Sequence, residues 1–199
     1  KWRPPTEESL KTRPVLIVGA GYIGCRVAVA WASAGRPVTL YDKSEEVLRA
    51  AMIYIRSAAK VGQYPCQHVS TTTSLREATA TRVIEDIKAL KSGSKKPWMA
   101  IECLPGALEV KVALLSNIEH MLPDDYILAS SSSSFPTRRM IHDLRHPERL
   151  LNTLYLEHPE PQNAPSTVQL MSSTRTDEAI FPFLIGQFER IGVSARVVP

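Results

Sequence analysis

Apolar positions in this chain fall into two periods that take turns from one end to the other. Residues 14–18 are a short β-branched apolar run closed by Pro14 and Gly19, the pattern of a strand covered on both faces. Residues 21–34 then carry Ile23, Val27, Ala30 and Trp31 at helical spacing, with Gly35 as the stop. Residues 38–42 predict a second buried strand. A helix starts at Ser44, with Glu45 and Glu46 favouring its first turn and Val47, Leu48, Met52 and Ile55 forming its apolar face. Further on, the pattern predicts a short strand around Val69, a helix over 82–91, a loop over 92–97, a strand over 98–102 and a helix over 108–122. A strand over 126–130 leads into the serine run 130–134, and a short helix is predicted through 140–144. Strands over 150–156 and 167–171, a helix over 177–191 and a last strand over 193–198 complete the chain.

This alternation of strand and helix predicts βαβ crossovers. The fold class is therefore α/β, a doubly wound, mainly parallel sheet with helices on both faces. There is no internal repeat. Residues 1–13 read as an N-terminal tail and 14–199 as one domain, with 44% apolar residues to fill its core.

Charge narrows the partners. A net charge of +4 from 24 basic and 20 acidic residues is spread along the chain, and the basic pairs Lys95-Lys96 and Arg138-Arg139 read as solvated faces rather than a nucleic-acid stripe. No apolar run is long enough for a membrane span. Cys25, Cys66 and Cys103 are odd in number and widely spaced, which suits neither a disulfide framework nor a zinc site. The expectation is a soluble protein of a reducing compartment, the cytoplasm, without a metal.

The segment Gly19-Ala20-Gly21-Tyr22-Ile23-Gly24 stands between the first strand and the first long helix. In that context Gly19 permits a tight turn, Gly21 lets the backbone approach a pyrophosphate, and Gly24 allows close packing of helix on strand. The helix N-terminus offers N–H groups and positive potential to phosphates. Asp42 ends the second strand about 20 residues beyond, where a carboxylate accepts from the adenosine ribose. These residues predict a dinucleotide cofactor, NAD rather than NADP, although Lys43 beside Asp42 is compatible with a 2′-phosphate.

Longer segments carry a resemblance: Val15 through Gly24, Ile101-Glu102-Cys103-Leu104-Pro105 followed by Leu108-Glu109-Val110-Lys111, Ile127 through Ser133, and Leu151-Asn152-Thr153-Leu154-Tyr155. In their order and spacing the chain resembles the NAD-binding domain of the 3-hydroxyacyl-CoA dehydrogenase family. The resemblance implies cofactor contacts for Glu102 and Lys111, besides Gly19, Gly21, Tyr22, Ile23, Gly24, Asp42 and Lys43. It also implies that Ser133 holds a substrate hydroxyl; a turn or N-cap hydroxyl is the alternative for Ser133.

The family's chemistry uses a His that takes the proton of the 3-hydroxyl and a Glu that orients the imidazole. Aligned through Leu151-Asn152-Thr153, the His position falls on Leu154 and the Glu position on Gln169. A shifted register would instead make His158 the base, with Glu157 or Glu160 as its partner. The resemblance therefore implies an NAD-dependent oxidoreductase on a hydroxy or keto substrate, an acyl-CoA or another such compound, with a degenerate dyad. Two alternatives stay open: a non-redox step such as isomerisation, dehydration or cyclisation, and a non-catalytic NAD(H)-binding module. Family members continue into a helical domain that forms their dimer. That domain is expected to be absent here, and a homodimer is open.

Overall fold

The computed structural model describes residues 1–62, 68–80, 96–156 and 166–199. Eight strands form one sheet in the order β3-β2-β1-β4-β5-β6-β7-β8. They are β1 (Val15–Val18), β2 (Val38–Tyr41), β3 (Val69–Thr72), β4 (Met99–Glu102), β5 (Ile127–Ser130), β6 (Leu150–Leu156), β7 (Thr167–Ser172) and β8 (Ser194–Val197). Every pairing is parallel except β6 with β7. The chain winds outward from β1 in both directions, so the sheet has a switch point between β1 and β4, the crevice where doubly wound folds bind ligands.

Described helices are α1 (Glu7–Leu10), α2 (Tyr22–Ser33), α3 (Glu45–Gly62), α4 (Leu75–Thr79), α5 (Leu108–Glu119) and α6 (Ile180–Arg190). All four residues of β1 are buried, because helices cover both faces of the sheet and no polar alternation is needed. Val15, Ile17, Leu40 and Ile101 face a layer of Val27, Trp31, Ile55 and Phe188. Leu16, Val18 and Leu128 face Leu115, Ile118 and Met140 on the other side. From Gly24 to Ala32 every residue of α2 is buried, since its small side chains let it lie between the sheet and its helical neighbours. In α3, by contrast, Leu48, Ala51, Ile55 and Ala58 form a single buried stripe.

Two expectations change and a third is not described. Residues 1–13 pack as part of the domain. The indole N–H of Trp2 donates to the Asp125 carbonyl (3.1 Å), its backbone N–H donates to Asp177 (3.0 Å), and its ring meets Phe183 edge to face. Arg13 holds Asp125 through both guanidinium nitrogens at 2.6 and 2.7 Å. No helix forms over 140–144: a 3-10 turn at Thr137–Arg139 precedes it, and residues 141–144 make a turn closed by Leu144 N–H donating to the Ile141 carbonyl (3.3 Å). Met140 and Leu144 are both buried, which creates a helical spacing, but the chain between them turns and lends the Asp143 carbonyl to the Ser116 hydroxyl. The helix predicted over 82–91 lies outside the described residues.

Candidate functional site

At the switch point, Gly19 ends β1 with φ +107°, a conformation L side chains rarely adopt, and a methyl group there would lie 2.9 Å from the Cys103 carbonyl oxygen. A methyl group on Gly24 would stand 1.9 Å from the Gly19 carbonyl oxygen. These two glycines press β1, the loop and α2 together. Gly21 differs: a methyl group there would meet nothing within 4 Å. It sits at the N-cap of α2 without a side-chain cap, facing open space at the positive end of a 12-residue helix. A pyrophosphate fits that cradle, tight beneath and open above.

Asp42, just past β2, is aimed by two backbone donors: Ala20 N–H to Oδ2 and Ser44 N–H to Oδ1, both 3.0 Å. Its carboxylate is thereby tied to the glycine loop with lone pairs left for ribose hydroxyls. Lys43 is exposed beside it.

Across the crevice, Glu102 is buried at the end of β4. It accepts from the Lys111 ammonium (2.7 Å), the Leu104 N–H (2.6 Å) and the Ser130 hydroxyl (2.5 Å). Lys111 also donates to the Leu104 carbonyl. The two side chains assigned to the cofactor by resemblance are thus engaged with each other. Their joint effect is to fix the Leu104 turn that walls the crevice, and Lys111 still borders it.

The opposite wall is the serine run. Asn152 donates to the Ser132 carbonyl (2.8 Å), the Ser132 hydroxyl accepts from Phe135 N–H (3.2 Å), and Ser131 N–H donates to the Glu102 carbonyl (2.8 Å). Ser133 is exposed on the rim this scaffold holds. Gly21, Tyr22, Leu104, Lys111, Ser133 and Phe135 border a cleft of about 340 Å³. A larger groove of about 580 Å³ lies beside the edge strand, between α3 and β3, and touches none of the glycine loop.

Cys103 borders the cleft too, but burial pushes its thiol up to about 12 despite a hydrogen bond from Ser131, so it stays protonated and is no nucleophile near neutral pH. The antiparallel register of β6 and β7 sets Leu154 directly opposite Gln169, both half-buried. The two positions singled out in the sequence are therefore cross-strand neighbours, where an imidazole and a carboxylate would touch. His158, Glu157 and Glu160 lie outside the described residues.

Two contributors were missed in the sequence. Asn152 stands inside the segment Leu151-Asn152-Thr153 used for alignment, and its amide, in a strand whose one other polar residue is Thr153, was the available signal. Arg26 had none: it is 7% exposed, yet its guanidinium lies 5.3 Å from the ring centre of Tyr22, itself 60% exposed. Among the described residues no three His, Cys, Asp or Glu side chains gather as a metal site, and no helix is long and apolar enough to cross a membrane.

Residues 14–198 match the family described as 3-hydroxyacyl-CoA dehydrogenase, NAD binding domain. A lambda-crystallin homolog of Homo sapiens is 29% identical over 164 residues, covering 77% of this chain and 50% of the relative. The 3-hydroxyadipyl-CoA dehydrogenase of Escherichia coli (strain K12) is 30% identical over 156 residues, covering 76% and 31%. The chain thus spans half or less of the length of these curated relatives. Among solved structures, 3-hydroxybutyryl-CoA dehydrogenase from Escherichia coli K12 shares the fold with a TM-score of 0.76 at 22% identity, over 94% of this chain and 38% of that one.

Proposed function

Since this chain belongs to the 3-hydroxyacyl-CoA dehydrogenase family through its NAD-binding domain, we propose that it is the cofactor-binding part of an oxidoreductase acting on a hydroxy or keto compound. The cofactor is NAD. The backbone of Gly19, Gly21, Tyr22, Ile23 and Gly24 holds its pyrophosphate, and Asp42 its adenosine ribose. When bound, NAD(H) supplies the hydride acceptor or donor. Glu102 and Lys111 hold the wall of the cleft in shape, and Ser133 on the facing rim binds the substrate hydroxyl or carbonyl oxygen.

The observation that carries this reading is the unequal packing of the three glycines, crowded at Gly19 and Gly24 and open at Gly21. Calorimetric titration with NAD⁺, NADH and NADP⁺ tests it. NAD-selective binding is the expected result, followed by hydride transfer seen in the absorbance of the reduced nicotinamide. Absence of binding by all three refutes it.

A second reading is favoured by one pair. Leu154 opposite Gln169 offers no proton acceptor, and loss of a general base costs on the order of 10² to 10⁴ in rate. Ordinary 3-hydroxyacyl-CoA oxidation is therefore slow here, and a non-redox step or NAD(H) binding without turnover is the competing use of the cleft. Substrate conversion with no change in nicotinamide absorbance would select it. Cys25 and Cys103, free and buried, support a reducing compartment, for which we propose the cytoplasm. A small molecule is the partner of the cleft, and a second copy of the chain is the proposed protein partner, to be checked by sedimentation.

A further inference from the structure

Two aromatic rings face the cleft at the switch point, and neither the pyrophosphate cradle nor the Ser133 hydroxyl uses them. Tyr22 opens α2 beside the glycine loop, and Phe135 ends the serine run. Both border the cleft of about 340 Å³. They come from opposite walls, because α2 follows β1 and the serine run follows β5, with β4 between those strands in the sheet. Neighbouring strands lie about 4.8 Å apart, so these two strand ends are separated by about 10 Å. Carbon atoms in contact stand about 3.5–4 Å apart, so a planar group held between two rings needs roughly 7–8 Å from ring to ring, which that separation supplies. Among the described residues no ring contact joins Tyr22 to Phe135.

Each ring is backed by a cation. The guanidinium carbon of Arg26, one turn further along α2, stands 5.3 Å from the centre of the Tyr22 ring, and that of Arg139 stands 5.6 Å from the centre of the Phe135 ring. Both rings border the cleft and neither arginine does, so the guanidinium groups sit on the sides turned away from it. Arg26 is buried, which fixes its end of one stack. Phe135 is half-buried against the layer of Leu16 and Leu128, and its N–H donates to the Ser132 hydroxyl (3.2 Å). Two rings ordered in advance cost little entropy when a ligand enters between them.

Charge does not select what enters. Lys111 is the one charged side chain bordering the cleft among the described residues, and Glu102 neutralises it. Ile23, Leu104 and Pro105 complete an apolar wall. A cavity of about 150 Å³ takes a benzene ring, so about 340 Å³ holds the nicotinamide and one further ring. Ser133 stands two residues before Phe135, which sets the hydroxyl that meets the substrate oxygen beside the aromatic wall.

We propose that Tyr22 and Phe135 clamp a planar aromatic group on the hydroxy or keto compound the cleft takes, with its oxygen on Ser133: an aryl ketone or the matching aryl carbinol. This rests on the oxidoreductase reading of the cleft and names the substrate class within it. Tyr22 and Phe135 then set specificity through shape and π contact.

The test titrates the NADH-loaded protein with acetophenone and with cyclohexyl methyl ketone, which share the acetyl group and differ in the flatness of the ring; saturation transfer to the acetyl methyl signal in NMR reads both. Aromatic pairing beyond area burial predicts about two- to tenfold for each ring of the clamp, hence roughly four- to hundredfold tighter binding of acetophenone. Phe135→Leu should reduce that preference to the share of one ring, Phe135→Tyr should keep it, and Tyr22→Leu combined with Phe135→Leu should abolish it. The NADH dissociation constant of Phe135→Leu should stay within about twofold, as for a change remote from the glycine loop. If Phe135→Leu instead weakens NADH as much as acetophenone, the ring serves the nicotinamide and the proposal falls. Equal binding of the two ketones, no binding of either, or a preference that survives the double variant overturns it as well. Failure to bind NADH sinks the oxidoreductase reading instead; the same two ketones on cofactor-free protein then decide the clamp by itself.

Discussion

Lys111→Met separates two roles for one side chain, counter-ion within the fold and contact to the cofactor. Lys111 is 3% exposed and Glu102 is 1% exposed, with 2.7 Å between ammonium and carboxylate. Removing one member of a buried pair costs about 3–5 kcal/mol, a large share of the roughly 5–15 kcal/mol that holds a domain together. The orphaned Glu102 keeps the Leu104 N–H and the Ser130 hydroxyl, which places this variant near the lower end, about 3 kcal/mol. Glu102→Gln falls nearer the upper end, because it leaves the ammonium without its charge partner and gives the Leu104 N–H and the Ser130 hydroxyl a neutral amide oxygen in place of a carboxylate. The double variant, Glu102→Gln with Lys111→Met, removes both charges and should cost less than the sum of the singles by about 1–3 kcal/mol. Urea unfolding followed by tryptophan fluorescence reads all three, with NADH affinity measured in parallel. If Lys111→Met unfolds at the wild-type midpoint yet loses NADH, the ammonium serves the cofactor and the reasoning from burial is wrong.

The glycines should separate folding from binding. Gly24→Ala forces a methyl group to 1.9 Å from a backbone oxygen and should cost about 1–3 kcal/mol, lowering Tm by roughly 2–10 °C; Gly21→Ala should leave Tm nearly unchanged but weaken NADH by about tenfold, and a normal affinity would mean that the pyrophosphate lies elsewhere. Leu154→His with Gln169→Glu places an imidazole beside a carboxylate across β6 and β7 and should raise NAD-dependent oxidation of 3-hydroxyacyl-CoA by about 10²-fold or more; no gain would show that the missing pair is not the sole obstacle. The Asp177 carboxyl is held below its ordinary value of 3.8 by the Ala179 N–H and then the Trp2 N–H. Its contribution is therefore present above that ordinary value and lost as pH falls through the lower folded one. Trp fluorescence should report the N-terminal arm loosening at acid pH in the wild type and already at neutral pH in Asp177→Asn, and identical acid profiles for the two would refute the link.

What the sequence determined by itself is the part of the protein written in local patterns. A strand covered on both faces must be apolar throughout, so Val15 to Val18 is visible without a partner; in α3 the spacing finds Leu48 and Ile55, but Val47, read on the same face, is 38% exposed and Ala51 and Ala58 fill the buried stripe instead. The glycine loop and Asp42 are legible for the same reason: a turn, a helix start and a strand end are defined by neighbours in sequence. Tertiary structure decided what depends on partners brought together by folding. That Lys111 and Glu102, read as cofactor residues, are also each other's counter-ions is visible only in the buried geometry, because a charged side chain in a sequence carries no sign of its neighbours in the fold. Arg13 with Asp125, and Trp2 with Asp177, turn an apparent tail into part of the core from positions far apart in the chain. The pairing of Leu154 with Gln169 follows from the β6–β7 register. In each case the deciding interaction spans a distance that no local pattern encodes.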